Sequence, residues 1–244
     1  MPIISFDVLT LFPNMLYEYT SNSIIGRAIN NGYIKVSVHN VRNWSNNKHK
    51  TTDDSPFGGG VGMVMKIEPI VKAIESICKS KAYIIYLSPD GDKLEQNLSK
   101  KLAKKNQIIL IAGHYEGIDQ RVRDFYIHQE VSIGDYILTN GALAAAVVID
   151  STSRYIPGVL GKEKSLTQDA FNNNLLSFPQ YTRPRNFRDH EVPKVLLSGN
   201  QEKIEKWRKL CQINKTKIRR PDLYKLYKNN ETDYQNNYTK SNKS

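Results

Sequence analysis

Cysteine is almost absent. Cys78 and Cys211 are the only two in 244 residues, far apart and outside any C-x-x-C or Cys/His cluster. That excludes a disulfide framework and a Cys-rich zinc site, and it predicts a reducing, cytoplasmic setting. Long apolar runs are missing as well. The longest, ALAAAVVI (142–149), falls far short of the ~20 residues a membrane helix needs, so no membrane partner is expected. The opening MPIISFDVLTLF lacks a basic n-region and contains Asp7, so it reads as a strand and not as a secretory signal. His39, His49, His114, His128 and His190 show no metal-ligand spacing, and no H-E-x-x-H occurs. There is no G-x-S-x-G elbow and no Walker A lysine.

Basic charge is abundant and unevenly placed. Lys and Arg number 35 against 24 Asp and Glu, a net charge of +11. Residues 1–161 hold 17 basic and 15 acidic side chains, a net of +2, whereas 162–244 hold 18 and 9, a net of +9. A nearly neutral front and a basic back suggest chemistry in one part and an anion held by the other. A solvated Lys-rich face is the plainer alternative.

The front alternates short β-branched segments with amphipathic ones. IISFDVLTLF (3–12), YIKVSVHNV (33–41), AYIIYLS (82–88) and QIILIAG (107–113) read as strands. Helices are expected near 14–30, 68–79, 93–105, 118–126 and 139–154. This predicts an α/β domain with a mainly parallel sheet over residues 1–161. Residues 162–174 lack apolar periodicity and read as a flexible linker. Residues 175–228 should form a small basic helical domain, with amphipathic segments at 199–213 and 221–228. Residues 229–244 are expected to be disordered.

Three features invite a chemical reading. SPFGGGVGMVM (55–65) places four glycines in five residues, which suits a loop closing over a pocket or a simple tight turn. A dinucleotide-binding turn would have to join a strand directly to a helix, and here the glycines follow a polar loop. Second, YLSPDG (86–91), GHYEGIDQR (113–121) and SIGDYILTNG (132–141) each follow a strand. In open α/β sheets such loops surround one pocket, here suited to an adenine edge and a ribose. Third, Arg154, Asp169 and the arginines Arg183, Arg185 and Arg188 lie outside that set. A carboxylate beside a cation can act as a base, yet spacing alone leaves Arg154 and Asp169 as ordinary capping or solvated groups. The three later arginines read equally as phosphate contacts or a solvated loop.

Taken in order, the blocks LFP (11–13), PFGGGVGM (56–63), YLSPDG, GHYEGIDQR, SIGDYILTNG, IPGVLGK (156–162), YTRP (181–184), LLSGN (196–200), KWR (206–208) and RRPDL (219–223) resemble the bacterial tRNA (guanine-N1)-methyltransferases of the SPOUT superfamily. The resemblance implies a deep trefoil knot in the catalytic domain and a small helical domain that holds tRNA. It implies methyl transfer from S-adenosylmethionine to N1 of guanine at tRNA position 37, by a homodimer with shared active sites. DNA is not an implied partner. Asp169 would be the general base and Arg154 the stabiliser of the guanine anion. The cofactor would lie against Tyr86, Leu87, Ser88, Pro89, Gly113, Tyr115, Glu116, Ile133, Gly134, Asp135, Tyr136, Ile137, Leu138 and Gly141. Gly59, Arg183, Arg185 and Arg208 would contact the tRNA. Mg²⁺ is implied for the methyl step, with no site assigned. The chain departs from the family pattern at Asn140, Ala142 and Ala144, where Gly, Glu and Pro are usual. It departs again at Gln201, and at Thr167 and Gln168 before the implied base. Two other classes are an RNA-binding protein that keeps the fold without turnover and a dinucleotide-dependent oxidoreductase.

Overall fold

The computed structural model describes residues 4–161 and 169–230. The backbone divides into two compact units, residues 1–161 and 162–244.

Unit 1 is built on a five-stranded sheet. In chain order its elements are β1 (Ile4–Thr10), α1 (Asn14–Ser21), α2 (Ser23–Asn30), β2 (Ile34–Asn40), β3 (Asp53–Asp54), β4 (Val64–Met65) and α3 (Ile67–Ile77). There follow β5 (Tyr83–Lys93), α4 (Gln96–Leu102), β6 (Gln107–Ala112), α5 (Gln120–Tyr126), β7 (Gln129–Ser132) and α6 (Ala142–Ser153). The sheet order is β2-β1-β6-β5-β7, and every pairing in it is parallel. β3 and β4 form a separate antiparallel pair.

Both faces of this sheet are covered, which explains the unbroken apolar run of β6 and the apolar first half of β5. Side chains alternate across a strand. Ile4, Phe6 and Val8 of β1, with Ile108 and Leu110 of β6, pack with residues of α1, α2, α4 and α6. Leu9, Ile109 and Ile111 point the other way, into a cluster with α3 and α5. The exception on that face is Asp7, buried in mid-strand. Its carboxylate is bonded by His39 Nε2 at 2.9 Å and accepts from Gln107 Nε2 at 2.8 Å, so the buried oxygens are satisfied.

Two expected elements differ in the structure. Residues 14–30 form two helices, because three consecutive side chains bond back onto the carbonyls of α1. Thr20 donates to Leu16 O, Ser21 to Tyr17 O and Asn22 to Glu18 O. Such local bonds compete with helix continuation, and Asn22 turns to extended geometry. The helix expected at 93–105 is confined to Gln96–Leu102, because β5 runs on to Lys93 through what reads as a turn.

In unit 2, β8 (Asn186–Phe187) and β9 (His190–Glu191) form a small antiparallel hairpin. α7 (Gln201–Arg219) follows, capped by the Asn200 side chain, which accepts from Lys203 N at 3.0 Å. A last helix, α8, covers residues 221–230. The flexible linker expected at 162–174 lies outside the described residues over 162–168, and 169–174 form turns ending in a 3-10 turn at Asn172–Asn174. The disordered tail expected at 229–244 lies outside them from 231 onward. Among the described residues no helix is long and apolar enough to cross a membrane.

Candidate functional site

The carboxyl ends of β5, β6 and β7 meet around one cavity of about 320 Å³. Its walls are the segments 86–90, 113–117, 131–134 and 136–141, together with Arg123 and Ala144. Two close backbone approaches hold these segments together. β7 pairs with β5 on both sides of an irregularity, Val131 opposite Leu87 and again opposite Asp92, so Ser88–Gly91 loops out between. A side chain on Gly91 would collide with the backbone of Glu130 and Val131. Leu94 N then donates to Ser132 O at 2.7 Å. At the second approach, Gly141 N donates to Gly113 O at 2.9 Å. A β-carbon on Gly141 would lie 2.8 Å from Ala112 Cα. Only glycine permits backbones to come this near.

The walls are mostly main chain, which leaves amide N–H and C=O groups to face a ligand. Within them the charged side chains are Asp90, Glu116 and Arg123. Arg123 grips Glu130 with two bonds, Nε to Oε1 at 2.8 Å and an Nη to Oε2 at 2.7 Å, and reaches Asp90 at 3.1 Å. The bond to Glu130 holds the Arg123 guanidinium well above its usual pKa. The guanidinium also lies 5.6 Å from the centre of the Tyr86 ring. Burial raises the Tyr86 phenol, so it stays neutral and serves as a wall of the cavity. Arg123 is therefore neutralised by its carboxylate partners, and the cavity favours a cationic ligand over an anionic one.

The glycine-rich loop abuts this cavity. Gly58, Gly59, Gly60 and Gly62 all have positive φ. Beyond them, Glu116 N donates to Met63 O at 3.0 Å and Met65 N donates to Gly117 O at 2.9 Å. A side chain on Gly62 would strike the Glu116 carboxylate. The loop is the tip of the β3–β4 ribbon and does not join a sheet strand to a helix, which removes the dinucleotide-turn reading. Phe57 and Val61 stand fully exposed at its tip.

Of the cofactor residues implied by resemblance, all but Asp135 line the cavity. Asp135 turns outward and pairs with Lys93 at 2.9 Å, both largely exposed. Asn140, one of the departures, acts locally. Its side chain accepts from Ala142 N at 2.9 Å, a local turn bond that satisfies the first N–H of α6. Arg154 is the C-terminal cap of α6, in unit 1. Asp169 is half-buried at the start of the described part of unit 2. Arg183, Arg185 and Arg208 line a separate cavity within unit 2. Sequence reasoning passes over Asp90, His114 and Arg123. A lone Arg on an amphipathic helix carries no signal, although its partner Glu130 lies in β7, next to Val131 of the cavity wall.

Comparison with known proteins supplies the remaining findings. A family model described as tRNA (Guanine-1)-methyltransferase TrmD matches residues 4–226. A tRNA (guanine-N(1)-)-methyltransferase of Carboxydothermus hydrogenoformans is 51% identical over 220 residues, covering 90% of this chain and 87% of that protein. One of Clostridioides difficile is 49% identical over 230 residues, covering 93% and 99%. One of Caldicellulosiruptor saccharolyticus is 51% identical over 219 residues, covering 89% of each.

Proposed function

The chain belongs to the tRNA (guanine-1)-methyltransferase family, and from that membership we propose that it methylates N1 of guanine at position 37 of tRNA, taking the methyl group from S-adenosylmethionine. The observation that supports this most directly is the backbone-walled cavity at the carboxyl ends of three parallel strands, in a chain matched by the family over residues 4–226. The residues present fit that cofactor. Main-chain groups of 86–89, 113–117 and 132–141 suit the adenine and ribose edges, and Asp90 and Glu116 suit a sulfonium and an ammonium. When bound, S-adenosylmethionine supplies an electrophilic methyl group.

Guanine N1 carries a proton near neutral pH and must lose it to become a nucleophile. Asp169 takes that proton. Arg154 then stabilises the negative charge that spreads to O6. A carboxylate is a weak base in water, so Asp169 acts through positioning against its substrate. Mg²⁺, implied by resemblance, does not find a holder here. Among the described residues no three His, Cys, Asp or Glu side chains gather where a metal ion could be held, and no step is assigned to it.

The close approaches at Gly91 and Gly141 suit a knotted path, in which 86–91, 113–121 and 132–141 are threaded past one another. Gly59 and the arginines Arg183, Arg185 and Arg208 are assigned to tRNA, in keeping with the net charge of +9 over 162–244. The active form is a homodimer with active sites shared between copies, working in the cytoplasm. The first eight residues of α6, Ala142–Ile149, are wholly apolar, yet Leu143 and Val147, one turn apart, are exposed. Met15 and Tyr19 are exposed on α1, which packs against α6. Such a stripe is the patch a second copy covers.

The test is a methyl-transfer assay with labelled S-adenosylmethionine and paired tRNA transcripts carrying guanine or adenine at position 37. Label recovered as N1-methylguanine from the first alone is expected. Transfer to neither, or to both, refutes the reading.

A further inference from the structure

Unit 2 contains a cavity of about 490 Å³ whose form the proposed chemistry does not use. Its frame is fixed from three sides. Thr216 of α7 accepts from Leu176 N at 2.9 Å, and Lys215 donates to Ser177 O at 3.1 Å, which ties the 175–178 segment to the helix. On the other side Val192 N donates to Arg185 O at 2.9 Å, closing the β8–β9 hairpin.

The lining divides by chemistry. The floor is apolar, with Ile204 and Leu196, and beside them the Phe178 ring lies under the Arg208 guanidinium at 4.8 Å. Arg208 donates to Glu205 at 2.9 Å, but its Nε is buried without a hydrogen-bond partner. A buried donor of this kind is what a ligand acceptor satisfies. Around the mouth stand Tyr181, half exposed, and the exposed Arg183 and Arg185. Among the described residues no acidic side chain lines the cavity. A patch that only neutralised duplex phosphates would need cations on an open surface. It would need neither an apolar floor nor a ring beside it. An apolar-floored cavity with guanidiniums at its mouth matches a nucleobase with its phosphate outside.

We propose that this cavity accepts one unstacked nucleotide of the tRNA, its base over the Ile204–Leu196 floor beside Tyr181 and its phosphate at Arg183 and Arg185. This rests on the tRNA reading given above. The pocket is a point of shape recognition within a surface that is otherwise electrostatic.

The experiment uses the full chain and a tRNA transcript that the wild-type protein methylates. A set of transcripts carries a single abasic site at each unpaired position in turn, and binding is read by fluorescence anisotropy. One abasic position is expected to lose about tenfold in affinity, the scale of a lost base stack. Thr182→Trp, which plugs the mouth without changing charge, should lose about the same with intact tRNA and show no further loss with that abasic transcript. Tyr181→Ala, which removes the ring instead of adding one, should also erase the discrimination at that position. Retained cofactor binding and an unchanged circular dichroism spectrum establish that both variants are folded. Equal binding of every abasic transcript by a wild-type protein that still methylates tRNA overturns the pocket and spares the activity. So do fully additive losses. A wild-type protein that neither binds nor methylates any transcript overturns the activity and this inference with it.

Discussion

Replacing Gly141 with alanine isolates the contact on which the cofactor cavity depends. Gly141 has φ −80° and ψ 0°, ordinary right-handed geometry, so alanine meets no backbone penalty there. The obstacle is steric. The new β-carbon would sit 2.8 Å from Ala112 Cα and 2.9 Å from Gly113 N. Carbon contacts are comfortable near ~3.5–4.0 Å, so the start of α6 and the end of β6 must part by roughly 1 Å. Both are backbone and cannot swing aside as a side chain would. Overpacking of this sort costs ~1–3 kcal/mol in stability. The parted segments are themselves walls of the cavity, so cofactor affinity should fall about tenfold, the equivalent of ~1.4 kcal/mol. Two further glycines serve as controls. Among the described residues nothing lies within 4 Å of a β-carbon on Gly161, and its φ is not positive, so alanine there should be neutral or stabilising by ~0.4–1 kcal/mol. Gly32 has open space but φ +72°, so alanine should cost ~1–2 kcal/mol without touching cofactor affinity. Urea unfolding of all three variants, with calorimetric titration of S-adenosylmethionine, reads both quantities. If Gly141→Ala binds cofactor as tightly as Gly32→Ala, the steric reasoning fails.

Three other outcomes are expected. Asp169→Ala should retain cofactor affinity and lose single-turnover methyl transfer by roughly 10²-fold or more, the ordinary scale of a general base; full activity would remove Asp169 from the chemistry. Tyr19 is only partly buried, and that burial, with the hydrogen bond to Asp150 after it, raises its phenol above the usual 10. Unfolded Tyr19 therefore ionises while the folded form stays neutral, so stability should fall as pH climbs above about 10. Tyr19→Phe should flatten that alkaline limb in a Tm series, and identical slopes would sink the idea. Leu143→Glu places a charge in the exposed stripe of α6 and should shift sedimentation from dimer to monomer while leaving the helical signal intact; an unmoved dimer puts the interface elsewhere.

The sheet was legible because both of its faces are covered. Gln107–Ala112 carries apolar residues at five consecutive positions after Gln107, and Ile4–Thr10 is β-branched and aromatic around buried Ser5 and Asp7, signals that survive without any partner. The path of β5 was not legible. Ser88-Pro89-Asp90-Gly91 has turn composition, and only the arrival of β7 on both sides of it keeps the strand going to Lys93. That pairing joins residues about forty positions apart and leaves no local trace. The broken helix at 14–30 was within reach, since Thr20-Ser21-Asn22 is a run of side chains that compete for carbonyls. Of the site, the three loops could be named because glycine and proline mark them. Arg123 could not. Its importance comes from meeting Glu130 and Asp90 across two other elements, and no spacing in the sequence encodes that meeting.

The strand order has a consequence for synthesis. β1 lies between β2 and β6, so its second neighbour is made long after its first. Between the end of β2 at Asn40 and the start of β6 at Gln107 lie 66 residues. At bacterial elongation rates that gap lasts roughly 3–13 s. Throughout it, the nascent chain carries an apolar strand with one open edge, the state most prone to pair wrongly with another chain. β1 gains its second neighbour only when β6 leaves the ribosome, and β6 takes the place between β1 and β5. Slowing translation within α3 or α4 should therefore lengthen the chain's dependence on chaperones, whereas slowing it after Ala112 should matter far less.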